Sequence, residues 1–133
     1  MYKRQFKIGE EMEGYAIGKV EVSNDNSLNV GDLVFSNHGM RDNFVCNANQ
    51  LKKLKPINMP IQSYLGPLGM TGHTAYIGLL KHGELKAGQT VLVSSAGGSV
   101  GSTVCQIAKN LGCKVIASTG SDEKVDWLSL IHI

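Results

Sequence analysis

With 133 residues, 42% apolar and 18% charged, the chain can bury a moderate core of one-domain size. Its net charge of +2 gives no ground for a nucleic-acid partner or an anionic membrane surface, and no run approaches the ~18 apolar residues of a span. Cys46, Cys105 and Cys113 are odd in number and lack metal-ligand spacing, which reads as reduced thiols in a cytoplasmic protein.

The two ends stand apart from everything between them. The last residues, LSLIHI, can be written in DNA as CTG TCT CTT ATA CAC ATC, and the reverse complement of that string contains GTG TAT AAG AGA CAG. Read from its GTG start, the complement gives MYKRQ, the beginning of the chain. Residues 1–5 and 128–133 are therefore expected to be translated sequencing-adapter sequence, foreign to the fold between them.

From Phe6 the chain reads as part of a β-domain. Tyr15 to Val22 is a strand candidate, and Ser23-Asn24-Asp25-Asn26-Ser27 is a polar turn. Val30 to Phe35 gives a second strand, Asn43 to Ala48 a third and Leu51 to Leu54 a short fourth. Strands this short and this closely spaced predict a small barrel or sandwich. Pro56 and Pro60 mark a boundary. Beyond it, Gly66 to Gly72 leads into a helix from about Gly72 to His82, with Ile77 and Leu80 on one face, Tyr76 and Leu79 beside it, and Gly83 as its stop.

The stretch from Thr90 to Lys124 carries the chemistry. Thr90 to Ser95 is apolar and β-branched without alternation, as in a parallel strand buried on both faces. A small-residue turn follows, Ala96-Gly97-Gly98-Ser99-Val100-Gly101. Next comes a helix with Val100, Val104, Ile107, Ala108 and Leu111 on one face, stopped by Gly112. Lys114 to Thr119 completes a β-α-β unit. With Ala96, Gly98 and Gly101 in the three positions of the dinucleotide-binding pattern, Gly98 lets backbone approach a pyrophosphate and Gly101 lets the helix pack on its strand. At the second strand's tip stands Ser118-Thr119-Gly120-Ser121, with no carboxylate to hold the ribose 2′-hydroxyl of NAD. Asp122 and Glu123 fit a helix's first turn behind Ser121 as N-cap, whereas Lys124 gains nothing from the helix dipole there. It is either a solvated lysine or a contact to the 2′-phosphate of NADPH.

LGMTGHTAYIGLL, followed by KAGQTVLVSSAGGSVGSTVCQIAKNLGCKVIASTGSDEK, resembles the zinc-independent medium-chain dehydrogenase/reductase superfamily. Within it, the likeness is to the prostaglandin reductase, leukotriene B4 dehydrogenase and alkenal double-bond reductase branch, and it covers almost all of Phe6 to Trp127. The resemblance implies an α/β chain: a partial GroES-like β-domain over 6–60, a connecting segment and helix over 61–89, and the first βαβ unit of a Rossmann NADP-binding domain over 90–127. It implies NADPH, with Gly98, Ser99, Val100 and Gly101 at the pyrophosphate, Lys124 at the 2′-phosphate, and Met70 and Thr71 toward the nicotinamide side. It implies no metal, because zinc-dependent relatives carry Gly-His-Glu where this chain has Gly9-Glu10-Glu11.

The implied reaction is reduction of the carbon–carbon double bond of an α,β-unsaturated ketone or aldehyde, with a quinone reductase and a non-catalytic nucleotide-binding relative as alternatives. The implied partner is a small enone or enal, with neither nucleic acid nor membrane, and the resemblance implies a homodimer as one state open to the full-length protein. No catalytic residue is assigned. Tyr64 lies near the cleft segment but reads first as a structural tyrosine at the domain joint. A doubly wound sheet needs two βαβαβ halves, so the chain is expected to be a fragment that is inactive alone. Sequencing the coding DNA is expected to return the complementary strings at the two ends; other codons there would overturn the adapter origin.

Overall fold

The structure is a computed structural model that describes residues 6–130; residues 1–5 and 131–133, most of the ends read as foreign, lie outside the described residues. The chain divides into two compact units between Gln62 and Ser63.

The first unit is built on an antiparallel sheet in the order β1 (Ala16–Lys19), β2 (Leu33–Ser36), β3 (Lys52–Lys53). Ala16 faces Ser36 and Lys19 faces Leu33, a register that buries Val20, Leu28 and Val34 against Ala48 and Leu51. The polar cluster after β1 turns as its composition requires. The Asp25 carboxylate accepts from the Ser27 N–H at 2.8 Å and the Ser27 hydroxyl at 2.6 Å, and the hydroxyl bond is the main reason its pKa lies below the usual value. A second carboxylate ties the next turn to the sheet. Asp32 accepts from Lys53 Nζ at 2.5 Å and from the Asn29 N–H at 2.9 Å, which lowers its pKa in that order of importance.

Asn43 to Ala48, expected as a strand, is not one. The segment runs irregularly into a 3-10 turn, Ala48–Gln50, opened by Asn47, whose N–H donates to Gln50 Oε1 at 3.3 Å. Its one large aromatic, Phe44, stacks on His38 with ring centroids 4.5 Å apart, so no strand partner takes it up. Asparagine at 43, 47 and 49 favours such local hydrogen bonding over a ladder.

In the second unit the expected helix begins earlier and changes pitch. α1 (Met70–Tyr76) continues into a π-helical turn, Ile77–His82. The Gly83 N–H reaches the Gly78 carbonyl at 2.9 Å, and Glu84, at φ 46°, makes the left-handed exit. The buried face runs through Gly72, Ala75 and Leu79 at ordinary helical spacing. Ala75 and Leu79 point inward, while Tyr76 and Ile77, expected on or beside the core face, are exposed.

β4 (Thr90–Val93) and β5 (Lys114–Ala117) pair in parallel, with Thr90 opposite Lys114 and Val93 opposite Ala117. Hydrogen bonds from the Ser118 N–H to Val93 O and from the Ala96 N–H to Ser118 O, both 2.9 Å, extend the alignment past the strand ends. Between them lies α2 (Ser99–Asn110), closed by Gly112 at φ 76° as expected. Its innermost residues are Ser102, Cys105 and Ala108; Val100 and Leu111, expected on the core face, sit at its exposed margins. Burial pushes the Cys105 thiol pKa up. α3 (Asp122–Leu130) runs past Trp127, and Leu128, placed by the sequence reading in the foreign tail, packs with Val93, Ala96 and Cys105. No helix among the described residues is long and apolar enough to cross a membrane.

The Asp32 cluster makes a pH prediction. Because its folded pKa is lowered from 3.8, its stabilising contribution is present above that value and is lost as pH falls through the lower folded value. Asp32→Asn is expected to flatten the acid limb of a pH-dependent unfolding curve; an unchanged limb would contradict the assignment.

Candidate nucleotide-binding site

The site is assembled where β4 hands over to α2. Ser95 turns the chain in the left-handed region at φ 51°, uncommon for a residue with a side chain, and its carbonyl accepts the Gly98 N–H at 2.9 Å. Gly98, extended at φ −90° and ψ 167°, is the N-cap of α2 and has no side chain to cap it. The first i−4 bond of the helix runs from the Ser102 N–H to the Gly98 carbonyl at 2.9 Å. The N–H groups of Ser99, Val100 and Gly101 therefore fall in the first turn, where helix geometry leaves donors for an external acceptor. Gly101 is the close-approach position. A Cβ there would collide with the Ser95 carbonyl and stand 2.9 Å from Ala96 Cα, both backbone atoms.

Lys124 reaches this turn from another element. It stands in the first turn of α3, exposed, and its stem passes over Gly97: a Cβ on that glycine would lie 3.0 Å from Lys124 Cδ and 3.1 Å from its Cβ. The Ser121 carbonyl, just before the helix, accepts from the Lys124 and Val125 N–H groups at 3.2 Å. Backbone donors at a helix N-terminus and a cation beside them are what a phosphorylated ligand requires.

An open cleft of about 510 Å³ runs alongside, lined among others by Thr74, Gly78, Leu92, Gly98, Val100 and Gly101. Of the residues singled out from sequence, it gathers Gly98, Val100 and Gly101. Ser99 and Lys124 sit at the neighbouring turn, and Met70 and Thr71 open α1 without lining the cleft. Thr74 reaches it instead, one helical turn on, with its hydroxyl donating to the Met70 carbonyl at 2.8 Å. Thr74 could have been found by its i+4 spacing from Met70; Ser95 and Gly97 carried no signal beyond proximity to the pattern. Tyr64 is half-buried in the short 3-10 helix Ile61–Leu65. Among the described residues, no three His, Cys, Asp or Glu side chains form a group able to hold a metal ion.

A family model described as the N-terminal domain of oxidoreductase matches residues 1–54. Prostaglandin reductase 1 of Bos taurus is 42% identical over 128 residues, 94% of this chain and 39% of that protein. The 2-alkenal reductase (NADP(+)-dependent) of Nicotiana tabacum is also 42% identical over 128 residues, 96% of this chain and 37% of the relative. Among solved structures, CurA from Vibrio vulnificus in complex with NADPH superposes with a TM-score of 0.78 at 38% identity, over 97% of this chain and 38% of that one. An oxidoreductase β-unit followed by a dinucleotide-type β-α-β unit defines the class. These likenesses support a place in the zinc-independent medium-chain dehydrogenase/reductase superfamily, and the chain spans under two fifths of the length of the curated relatives it matches.

The close approach at Gly101 is testable. Gly101→Ala is expected to lose about 1–3 kcal/mol, read by urea unfolding, although alanine gains ~1 kcal/mol in helix propensity. Gly98→Ala, whose Cβ would stand 3.2 Å from the Ser95 carbonyl, should lose less. The reverse order would contradict the packing role.

Proposed function

We propose that the chain is the cofactor-turn portion of a cytoplasmic, NADPH-dependent reductase acting on the carbon–carbon double bond of small α,β-unsaturated ketones or aldehydes, in an intact protein that pairs as a homodimer. The observation that carries the reading is the Lys124 stem lying over Gly97, beside the uncapped first turn of α2. The NADP-dependent 2-alkenal reductase and the NADPH complex of CurA support it.

The backbone N–H groups of Ser99, Val100 and Gly101 would hold the pyrophosphate, with Gly98 leaving room for its approach. Lys124 would hold the 2′-phosphate, at a strand tip with no carboxylate to repel it. Met70 and Thr71 would approach from the nicotinamide side, Thr71 at the half-buried start of α1. When bound, NADPH supplies the hydride for the β-carbon of the substrate; the chain's own residues bind and orient.

In the intact protein, Lys124→Ala is expected to weaken NADPH binding about 10- to 100-fold, the scale of a lost hydrogen bond to a charged group, and to leave NADH binding unchanged. Equal losses for both cofactors would sink the 2′-phosphate role. Turnover should be faster with an enone than with a quinone; the opposite preference would transfer the protein to quinone reduction.

A further inference from the structure

Gly97 is not one of the three small positions of the dinucleotide pattern, and its φ is not among the positive ones, so backbone conformation does not demand glycine there. Space does. The point its Cβ would occupy is 2.9 Å from Thr119 Oγ1, 3.0 Å from Lys124 Cδ and 3.1 Å from Lys124 Cβ. At the other tight glycines of this unit, including Gly69, Gly72, Gly83 and Gly101, the obstructing atoms are backbone. At Gly97 they are two side chains that arrive from other elements and meet in one notch.

The two side chains differ in freedom. Thr119 follows a residue bonded on both sides: Ser118 donates to Val93 O and accepts from the Ala96 N–H, both at 2.9 Å. Thr119 is β-branched, and its χ1 range is narrow. Lys124 is exposed on a four-carbon stem that carries about 2 kcal/mol of rotamer entropy. A wall on one side and a floor without a Cβ beneath restrict where its ammonium can go, so less freedom remains to be lost when an anion binds.

We infer that Thr119 and Gly97 are a size-matched pair that positions Lys124 for a 2′-phosphorylated ribose, Thr119 as wall and Gly97 as floor. The inference rests on the NADPH reading above. Thr119 is a positioning residue that acts through Lys124, at the strand tip where NAD-specific folds place a ribose-binding carboxylate.

The test is a titration of the intact protein with adenosine 2′,5′-bisphosphate and with 5′-AMP, followed by calorimetry, with the ratio of their affinities as readout. Gly97→Ala is expected to lower the ratio about tenfold by displacing the stem. Thr119→Ala added to it should restore the ratio to within about twofold, because the notch regains space. Thr119→Ala alone should lower it about threefold, whereas Thr119→Val, which keeps the shape, should leave it unchanged. In a Lys124→Ala background none of these changes should move the ratio. Failure of rescue, or effects that persist without Lys124, would overturn the positioning role. A loss with Thr119→Val equal to that with Thr119→Ala would overturn it in favour of a direct hydroxyl contact. A wild-type ratio near one would overturn the NADPH reading itself.

Discussion

Contact between α2 and the tip of β4 at almost no clearance is the constraint from which the second unit follows. Ala96, Cys105 and Ala108 are completely buried, and Gly101 admits the Ser95 carbonyl where a methyl group would stand. Small side chains let the helix axis come close, and closeness brings its first turn to the end of the strand. Ser95 bears the cost in a left-handed conformation of order 1–3 kcal/mol, which the surrounding packing must outweigh. A bulkier residue at any of these positions would move the N–H donors away from the turn before it changed the fold.

The same core sets the position of the cation. Leu128 packs with Val93, Ala96 and Cys105, and Lys124 precedes it by four residues, so the two share a helical face. Burying Leu128 turns that face toward the glycine turn and carries the Lys124 stem over Gly97. A charged residue in the first turn of a helix gains nothing from the dipole when it is a lysine, so its placement is governed by packing one turn below. In this chain the position of the Lys124 stem over Gly97 goes with that apolar contact.

What the sequence disclosed and what it withheld divide along physical lines. The β-α-β unit was legible because its signals are local: β-branched runs, a small-residue turn, and Gly112 in the one conformation that favours glycine. The π-helical turn over Ile77–His82 was not, because a local change of pitch leaves no mark on the residue pattern. Asn43 to Ala48 had one aromatic and a strand-like length, yet side-chain bonding around Asn47 and stacking of Phe44 on His38 won locally. Leu128 was set aside with a tail that reads as foreign DNA, although an apolar residue at helical spacing can fill a core whatever its origin. The Gly97 notch was beyond sequence altogether, since it is defined by Thr119 and Lys124, more than twenty residues away.

The strand tip shows how a missing group and a present one combine. A carboxylate after β5 would hold a ribose hydroxyl and repel a phosphate, and it would also pair with any lysine arriving from α3. With Thr119 there, the tip is uncharged and shaped, and the Lys124 stem lies in the space beside it. Selectivity at such a tip depends on two conditions being met together: no anion at the end of the strand, and a wall that keeps the cation over the turn. On the inference drawn above, Gly97 would serve the second condition by having no side chain, and a residue outside the glycine pattern would bear on which dinucleotide the turn accepts.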